Sequence, residues 1–184
     1  MKKLASSIFF VMLLICGLSA QEEGQLNLNA GLAIGTEAGI DDNGNGSLGF
    51  GFNLGGEYFV TDIISVAPSY TYFFKDEIDE GGFNASFRLS ALNFDGRYYF
   101  LTEEVNVYGL LGASLLFGKF ESEVNFFGVR SSVEDTDSEF GINIGGGLVY
   151  PLDDSFSLGG QVKYQTAGDG QLVFNASLIY ALDY

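Results

Sequence analysis

The sequence has no histidine and no tryptophan, and cysteine occurs once, at Cys16. Without histidine the chain cannot hold a Ser-His, Cys-His or Asp-His catalytic arrangement. A pair of carboxylates stays chemically possible among 24 acidic residues, but no spacing singles out one pair. We therefore expect no enzyme activity, no catalytic residue and no cofactor.

Basic residues are also scarce, with eight Lys and Arg against 24 Asp and Glu and a formal net charge of −16. Phosphate binding needs a basic face, so this balance excludes a nucleic-acid partner. No run of 18 apolar residues occurs anywhere, which excludes an ordinary membrane-spanning helix.

The first twenty residues have the three zones of a secretory signal peptide. Lys2 and Lys3 precede an apolar stretch, and Leu18-Ser19-Ala20 closes it with small residues. We predict cleavage after Ala20, which divides the chain into a signal peptide (1–20) and one mature domain (21–184). A membrane-spanning helix is the alternative, but the uninterrupted apolar run at 8–16 is about half of the ~20 residues that a bilayer requires.

Cys16 lies inside this leader and superficially resembles the cysteine of a lipoprotein cleavage site. Such a site needs a small residue just before the cysteine, and Ile15 is not small. We therefore interpret Cys16 as part of the signal peptide, so that the mature domain has no disulfide.

The end of the chain alternates most clearly between apolar and polar residues. Every second residue from Leu172 to Tyr184 is apolar or aromatic, and the intervening ones are mostly small or polar. Because side chains of a strand alternate between two faces, this pattern indicates a strand with one apolar face. Seven further segments share it: Leu26–Ile34, Leu48–Tyr58, Ile64–Phe74, Leu92–Phe100, Val105–Phe117, Phe140–Tyr150 and Phe156–Tyr164.

Two of these segments carry a local conflict. In the fifth, Tyr108, Leu110 and Leu116 have the opposite parity, so its face assignment stays open. In the third, Pro68 lacks a ladder donor, and we expect it at a bulge or near a strand end.

The links between the eight segments differ in length. They are tight after Tyr58, Phe100 and Tyr150, short at 167–170, and longer at about 37–47, 75–87 and 118–139. Short turns at one rim and longer loops at the other are typical of a bacterial outer-membrane barrel, whose short turns are periplasmic.

The apolar face is predicted to point outward, to lipid. The stripes hold most of the 18 Phe and 10 Tyr, which is too much bulk for the lumen of an eight-stranded barrel. A soluble β-sandwich is the alternative, since it buries its bulky faces between two sheets. It requires neither aromatic strand ends nor unequal links.

Two strand ends, Gly96-Arg97-Tyr98-Tyr99-Phe100 and Tyr150-Pro151-Leu152-Asp153-Asp154, resemble those of the OmpA/OmpX-type small outer-membrane barrels. The resemblance covers the mature chain. The predicted fold is all-β: a single eight-stranded antiparallel up-and-down transmembrane β-barrel, formed after removal of a signal peptide, in the outer membrane of a Gram-negative bacterium.

Charged residues on the inward face form a predicted lumen network of Glu57, Asp95, Arg97, Lys163 and Asp183. Because an unpaired buried charge is costly, we expect Arg97 and Lys163 to neutralise carboxylates and plug the lumen. At the ends of the outward stripes, a set of aromatic residues is predicted at the membrane interface, where a ring contacts lipid and a hydroxyl contacts water. Its members are Tyr58, Tyr98, Phe100, Tyr150, Tyr180 and Tyr184.

The segment Asp41-Asp42-Asn43-Gly44-Asn45-Gly46 matches the first half of an EF-hand calcium loop. The twelfth position should be a bidentate Glu but is Phe52, so we reject an EF-hand and predict no metal site. Weak divalent-cation binding by acidic loops stays open beside the simpler interpretation of a polar loop tip.

The longer links are acidic, with Asp76, Glu77, Asp79 and Glu80 in one and Glu121, Glu123, Glu134, Asp135, Asp137 and Glu139 in another. These charges serve solubility and mutual repulsion, or else contact lipopolysaccharide through cations, or a basic partner. Phe126-Phe127-Gly128-Val129 is apolar, and either continues a strand above the membrane or forms a contact patch.

We therefore expect an integral outer-membrane protein with a structural or surface-interaction role through acidic extracellular loops, as the resemblance implies. The alternative is a narrow or gated pore for small solutes or cations. Expected partners are outer-membrane lipid and lipopolysaccharide, the barrel assembly machinery at Tyr184, and an unidentified surface ligand. We expect a monomer.

Overall fold

The computed structural model describes residues 23–41, 45–80, 83–101, 105–126 and 129–182. Side chains are described within these ranges except at 76–85, 101 and 121–134. The described residues form eight antiparallel strands. They are β1 (Leu26–Ile40), β2 (Gly46–Thr61), β3 in two segments (Ile64–Phe73 and Asp76–Glu80), β4 (Phe83–Leu101), β5 (Asn106–Phe126), β6 (Val129–Pro151), β7 (Phe156–Gln165) and β8 (Gln171–Leu182).

The strands close into a barrel. Each pairs with its neighbours in chain order, and β1 also pairs with β8, from Leu26 opposite Leu182 to Gly35 opposite Val173. Closure gives the backbone groups of β1 and β8 partners that lipid cannot supply. The predicted eight-stranded antiparallel barrel is confirmed. No helix of sufficient length and hydrophobicity to cross a bilayer is present in the described ranges.

The two faces of the wall differ as the alternation predicts. Large apolar side chains lie exposed on the outside, such as Leu111 at 64% and Phe140 at 72%. Polar side chains such as Asn53, Asn143 and Lys163 are buried inside. The open question in the fifth segment is also settled, because Tyr108, Leu110 and Leu116 are buried in the lumen.

One end of the barrel, here called the turn end, has short connections at Thr61–Ile64, Leu101–Asn106 and Pro151–Phe156. Local hydrogen bonds explain two of them. Thr61 Oγ1 accepts from Ile64 N at 3.0 Å. Asp153 Oδ1 accepts from Ser155 N at 2.9 Å and from Phe156 N at 2.7 Å.

At the opposite end, here called the hairpin end, the predicted longer links at about 75–87 and 118–139 consist largely of paired strand. The strands continue as paired hairpins, so that Phe83 lies opposite Val124 and Phe126 lies opposite Val129. The strand interpretation of 126–129 is therefore confirmed for the backbone of Phe126 and Val129, and 127–128 lie outside the described residues. The side chains at 135–139 of β6 are exposed on both faces of the strand, so alternation gives no apolar stripe there.

The expectation that Pro68 lies at a bulge or near a strand end is wrong. It lies in the middle of the first segment of β3, opposite Phe94 of β4. On its other side, pairing with β2 stops at Ser69 and resumes at Val66. The ladder therefore lapses where proline has no N–H to donate.

Candidate functional site

The lumen holds two ion pairs at different heights. The pair nearer the turn end joins Arg97 and Glu57, with Arg97 Nη1 donating to Glu57 Oε2 at 2.9 Å. The other Glu57 oxygen accepts from the hydroxyls of Ser65 and Tyr99. Glu57 is 2% exposed, so its negative charge is balanced by one cation and two further donors.

The Arg97 guanidinium is also held from a second side. Its Nη2 donates to Gln161 Oε1 at 3.0 Å, and Tyr108 OH donates to the same oxygen at 3.0 Å. The guanidinium carbon lies 4.7 Å from the centre of the Tyr108 ring, within cation–π range. Arg97 thereby bridges β2, β5 and β7 across the lumen.

The second pair joins Lys163 and Asp95, with Lys163 Nζ donating to Asp95 Oδ2 at 3.1 Å. Both side chains are 2% exposed. Asn143 Nδ2 donates to Asp95 Oδ1 at 2.7 Å. This buried pair connects β4 to β7, and an amide from β6 donates to the second oxygen of the carboxylate.

A chain of buried amides continues from this pair toward the hairpin end. Asn143 Nδ2 and Gln165 Nε2 both donate to Asn93 Oδ1, at 3.2 and 3.3 Å. Gln171 Nε2 then donates to Gln165 Oε1 at 3.1 Å. Thr71 Oγ1 accepts from Asn53 at 2.9 Å and from Asn93 at 3.4 Å. Side chains from six strands are thus joined in one network, which fixes their positions across the barrel.

Apolar layers lie on either side of the polar network along the barrel axis. At the turn end the layer contains Phe59, Tyr99, Tyr108, Leu110, Val149 and Ile179. At the hairpin end it contains Ala33, Ala38, Phe73, Leu89, Ala91, Leu116, Ala167 and Val173. Between the layers a cavity of about 20 Å³ lies against Arg97, Tyr108 and Gln161. It has room for about one water molecule.

The structure brings four of the five predicted lumen charges into these two pairs: Glu57, Asp95, Arg97 and Lys163. Asp183 lies outside the described residues, as do Ala20 and Tyr184. Five of the predicted interface aromatics are exposed on the outer face near the turn end: Tyr58, Tyr98, Phe100, Tyr150 and Tyr180. Tyr180 packs against Phe156 with ring centroids 5.1 Å apart.

Several residues of the network were not predicted. Tyr99 and Ser65 share the inward parity of Arg97 and Glu57, but both were assigned no role because neither is charged. Tyr108 had the inward parity that left its segment ambiguous. These residues are inward polar residues that lie at the same height along the barrel axis as a charged residue of a neighbouring strand. They can be identified only when the register between the strands is known.

In the loop that matches the first half of an EF-hand, the first acidic residue, Asp41, has a structural role. Asp41 Oδ1 accepts from Asn45 N at 2.8 Å, and Asp41 N donates to Asn45 O at 2.9 Å. Asp41 thus closes the hairpin between β1 and β2, while 42–44 lie outside the described residues. Among the described side chains no group of three acidic or cysteine residues is arranged to hold a metal.

An acidic strand forms the edge of the hairpin end. β6 pairs with β5 along Val129–Val149, but with β7 only from Asn143 onward. On the resulting edge, Asp135, Asp137 and Glu139 are exposed. Asp137 Oδ1 accepts from Ser138 N at 2.8 Å, and Glu139 Oε2 accepts from Gly168 N at 2.6 Å. Acids of this kind discourage pairing between identical edges.

Solved structures of small outer-membrane barrels have the same fold. Ail, the attachment invasion locus protein of Yersinia pestis, is 22% identical, with 87% of this chain and 99% of that chain covered and a TM-score of 0.61. OprG of Pseudomonas aeruginosa is 15% identical, with 91% and 100% covered and a TM-score of 0.60. The N-terminal barrel domain of OprF from Pseudomonas aeruginosa is 18% identical, with 88% and 100% covered and a TM-score of 0.53.

A further structure shows Ail in complex with the heparin analogue sucrose octasulfate. The comparison with curated proteins gives no match. The model of the outer membrane protein beta-barrel domain matches residues 8–180, which is most of the chain. The protein therefore belongs to the outer-membrane β-barrel domain family and resides in the outer membrane of Gram-negative bacteria.

Proposed function

We propose that the protein is a closed, non-catalytic scaffold that presents an acidic surface outside the cell through its hairpin end. The observation that carries this proposal is the contrast along the barrel axis. The membrane-spanning part is filled by two ion pairs between two apolar layers. The hairpin end instead continues as ordered, paired strands with exposed carboxylates.

The filling of the lumen argues against conduction. An ion that crosses the barrel must pass both apolar layers, in which the hydroxyls of Tyr99 and Tyr108 are already hydrogen-bonded, and must displace Lys163 from Asp95. A buried charge that is separated from its partner is strongly unfavourable. That penalty would be paid in addition to dehydration of the ion, so steady flow is disfavoured.

The charge of the hairpin end favours a cationic partner. Asp135, Asp137 and Glu139 lie on one strand, and complementary potentials accelerate and orient association. The heparin analogue bound to Ail is a polyanion. We therefore propose that this protein, despite the shared fold, binds basic protein surfaces. We propose that lipopolysaccharide contacts the barrel wall through bridging cations.

We further propose how the protein is processed, oriented and assembled. The signal peptide is removed after Ala20, and the hairpin end faces outward because short turns are periplasmic in this class. The aromatic Tyr184 is the signal for the barrel assembly machinery. The chain acts as a monomer, since pairing of β1 with β8 closes the sheet on itself. N-terminal sequencing of the protein from outer membranes should begin at Gln21.

The closed lumen is tested by single-channel recording of the purified protein in planar bilayers. We expect no steady conductance in 1 M KCl. A large, steady cation current from the unaltered protein would overturn the closed scaffold and support the pore. The variant Lys163→Met with Asp95→Asn is informative here, since it removes both charges and should stay closed because the apolar layers remain.

The surface role is tested with the variant Asp135→Asn, Asp137→Asn, Glu139→Gln in lipid nanodiscs. Its control, Glu23→Gln, Asp62→Asn, Asp154→Asn, removes the same charge from the turn end. We expect a fluorescent decalysine peptide to bind the first variant at least threefold more weakly than the unaltered protein, and the control within twofold. Equal losses in both variants would mean that net charge alone is read.

The paired hairpin itself is tested by shortening it in register. Phe120 lies opposite Asp135, so an Asn-Gly turn can replace 121–134 and leave the remaining ladder paired. We expect the shortened protein to insert and to keep its heat-modifiable gel mobility. Cell-surface binding to basic proteins should fall. Unchanged binding would show that the protruding strands are not the contact surface.

A further inference from the structure

A separate pocket lies at the hairpin end, above the apolar layer that closes the lumen there. Its volume is about 250 Å³. Its floor includes Leu89, Leu116 and Ala167, and Phe87 forms part of its side. Neither ion pair of the lumen contributes to its lining.

Two local irregularities create this pocket. The register of β1 against β2 shifts between Gly35 and Gly39, and the bulged segment carries the exposed side chain of Glu37 to the rim. On the opposite side, β7 turns tightly into β8 through Gly168 and Gly170, which have φ values of 68° and 80°. The hairpin between β7 and β8 ends closer to the turn end than the neighbouring hairpins do. The barrel wall is therefore shorter at this point, and Asp169 lies at the edge of the gap.

The lining selects a positively charged ligand. Its ionisable residues, Glu37 and Asp169, are both acidic, and no Lys or Arg among the described residues lines it. Phe87 adds an aromatic ring, which attracts an ammonium group placed over its face. An anion of the same size would be repelled by both carboxylates.

A buried acceptor adds to this preference. Gln171 lines the pocket, is 3% exposed, and its Oε1 atom has no hydrogen-bond donor among the described residues. Its orientation is fixed from below, because Nε2 donates to Gln165, whose own Nε2 donates to Asn93. The amide chain thus ends with an unsatisfied carbonyl at the pocket, and such a group favours an N–H donor.

We infer that this pocket binds a small organic ammonium ion with an apolar body. The ammonium group lies between Glu37 and Asp169, and the apolar body lies on Phe87 and Leu116. The volume is below the ~300–1,000 Å³ of drug-sized sites, so the ligand has a single ring or a short branched chain. Neither the pocket nor its ligand depends on the basic protein partner proposed above.

The inference is tested with 2-phenylethylammonium as the probe, added to the full-length mature protein in detergent. Two matched compounds serve as controls: 2-phenylethanol, which lacks the charge, and phenylacetate, which reverses it. By calorimetry or NMR shift titration we expect the ammonium ion to bind at least tenfold more tightly than the alcohol, with no binding of phenylacetate. Equal affinity for ammonium ion and alcohol would overturn the inference.

Variants locate the site. Glu37→Gln with Asp169→Asn should weaken binding of the ammonium ion at least fivefold and leave that of the alcohol unchanged. The control Asp154→Asn, at the turn end, should have no effect. Unchanged affinity in the double variant would place any binding elsewhere. Because decalysine binding by the β6 variant is measured separately, failure of this site and failure of the surface proposal are distinguishable.

Discussion

Two faces of the same strands obey opposite rules in this protein. On β4, Phe94 is 60% exposed while its neighbour Asp95 is 2% exposed. The outer face meets lipid, where bulk is favourable and charge is costly. The inner face meets other side chains, where charge is acceptable if it is paired and every donor finds an acceptor. One residue of shift would exchange the two environments.

Glycine shows the same difference in steric terms. A Cβ on the inward Gly112 would lie 2.2 Å from Asp95 Oδ1 and 2.5 Å from Phe94 O. A Cβ on the outward Gly96 would meet its nearest neighbour, Leu111 O, at 3.5 Å. Inward glycine therefore permits the close approach that a narrow lumen requires, whereas this outward glycine is replaceable.

The largest effect is expected inside the barrel, from removal of one member of the buried Lys163–Asp95 ion pair. Lys163→Met leaves the Asp95 carboxylate buried with Asn143 as its remaining donor. The free energy of unfolding should fall by about 3–5 kcal/mol, because an uncompensated charge stays in the lumen. Equilibrium unfolding by urea in lipid vesicles, followed by gel mobility, measures the loss.

The double variant Lys163→Met, Asp95→Asn separates charge from packing. It removes the uncompensated charge, so it should recover more than half of the lost stability. If the double variant is as unstable as Lys163→Met alone, the loss arises from packing, and the paired charges matter less than proposed.

The second effect concerns the outer face. Leu111 lies on the outer face of β5, in the half of the strand nearer the turn end, and is 64% exposed. Leu111→Arg should destabilise the barrel by about 2–4 kcal/mol, the cost of a cation near the bilayer midplane. The control Leu111→Phe keeps an apolar side chain and should change stability little. A tolerated arginine would mean that Leu111 does not face the hydrocarbon core.

The contrast between the faces is also what made most of the fold predictable. Alternation from Leu172 onward, together with the bulk of the apolar stripes, indicated the outward face, the number of strands and the inward charges. Glu57, Asp95, Arg97 and Lys163 followed from parity alone. Parity cannot say which carboxylate meets which cation, because that depends on the shear between strands.

Two kinds of feature could not be predicted from alternation: contacts that depend on the register between strands, and strand segments that have no apolar face. The hairpin extensions of β5 and β6 have no apolar stripe, so their acidic residues suggested loops. The roles of Tyr99 and Gln161 depend on the height at which their strands bring them to Glu57 and Arg97. The pocket at Glu37 and Asp169 arises from a bulge and a low turn, and neither leaves a periodic signal.

A third effect tests the glycine asymmetry. Gly112→Ala should destabilise by about 1–3 kcal/mol, the usual cost of overpacking, because the methyl group meets Asp95 and the backbone of Phe94. Gly96→Ala, on the outer face, should be neutral or slightly stabilising, since alanine is the better residue within a strand. The two variants are compared in the same unfolding assay. Equal losses would remove the steric argument.

The smallest effect is expected at the hairpin end, where Asp135, Asp137 and Glu139 are exposed. Asp135→Asn, Asp137→Asn, Glu139→Gln should change the free energy of unfolding by less than about 0.5 kcal/mol. The replacements keep the oxygen atoms that accept from Ser138 and Gly168. A loss above 2 kcal/mol would mean that these carboxylates stabilise the fold, and weaker decalysine binding by this variant would then report misfolding. If the free energy of unfolding is unchanged and decalysine binding is weaker, the acidic residues of this strand act in recognition. The ion pairs of the lumen then stabilise the fold without them.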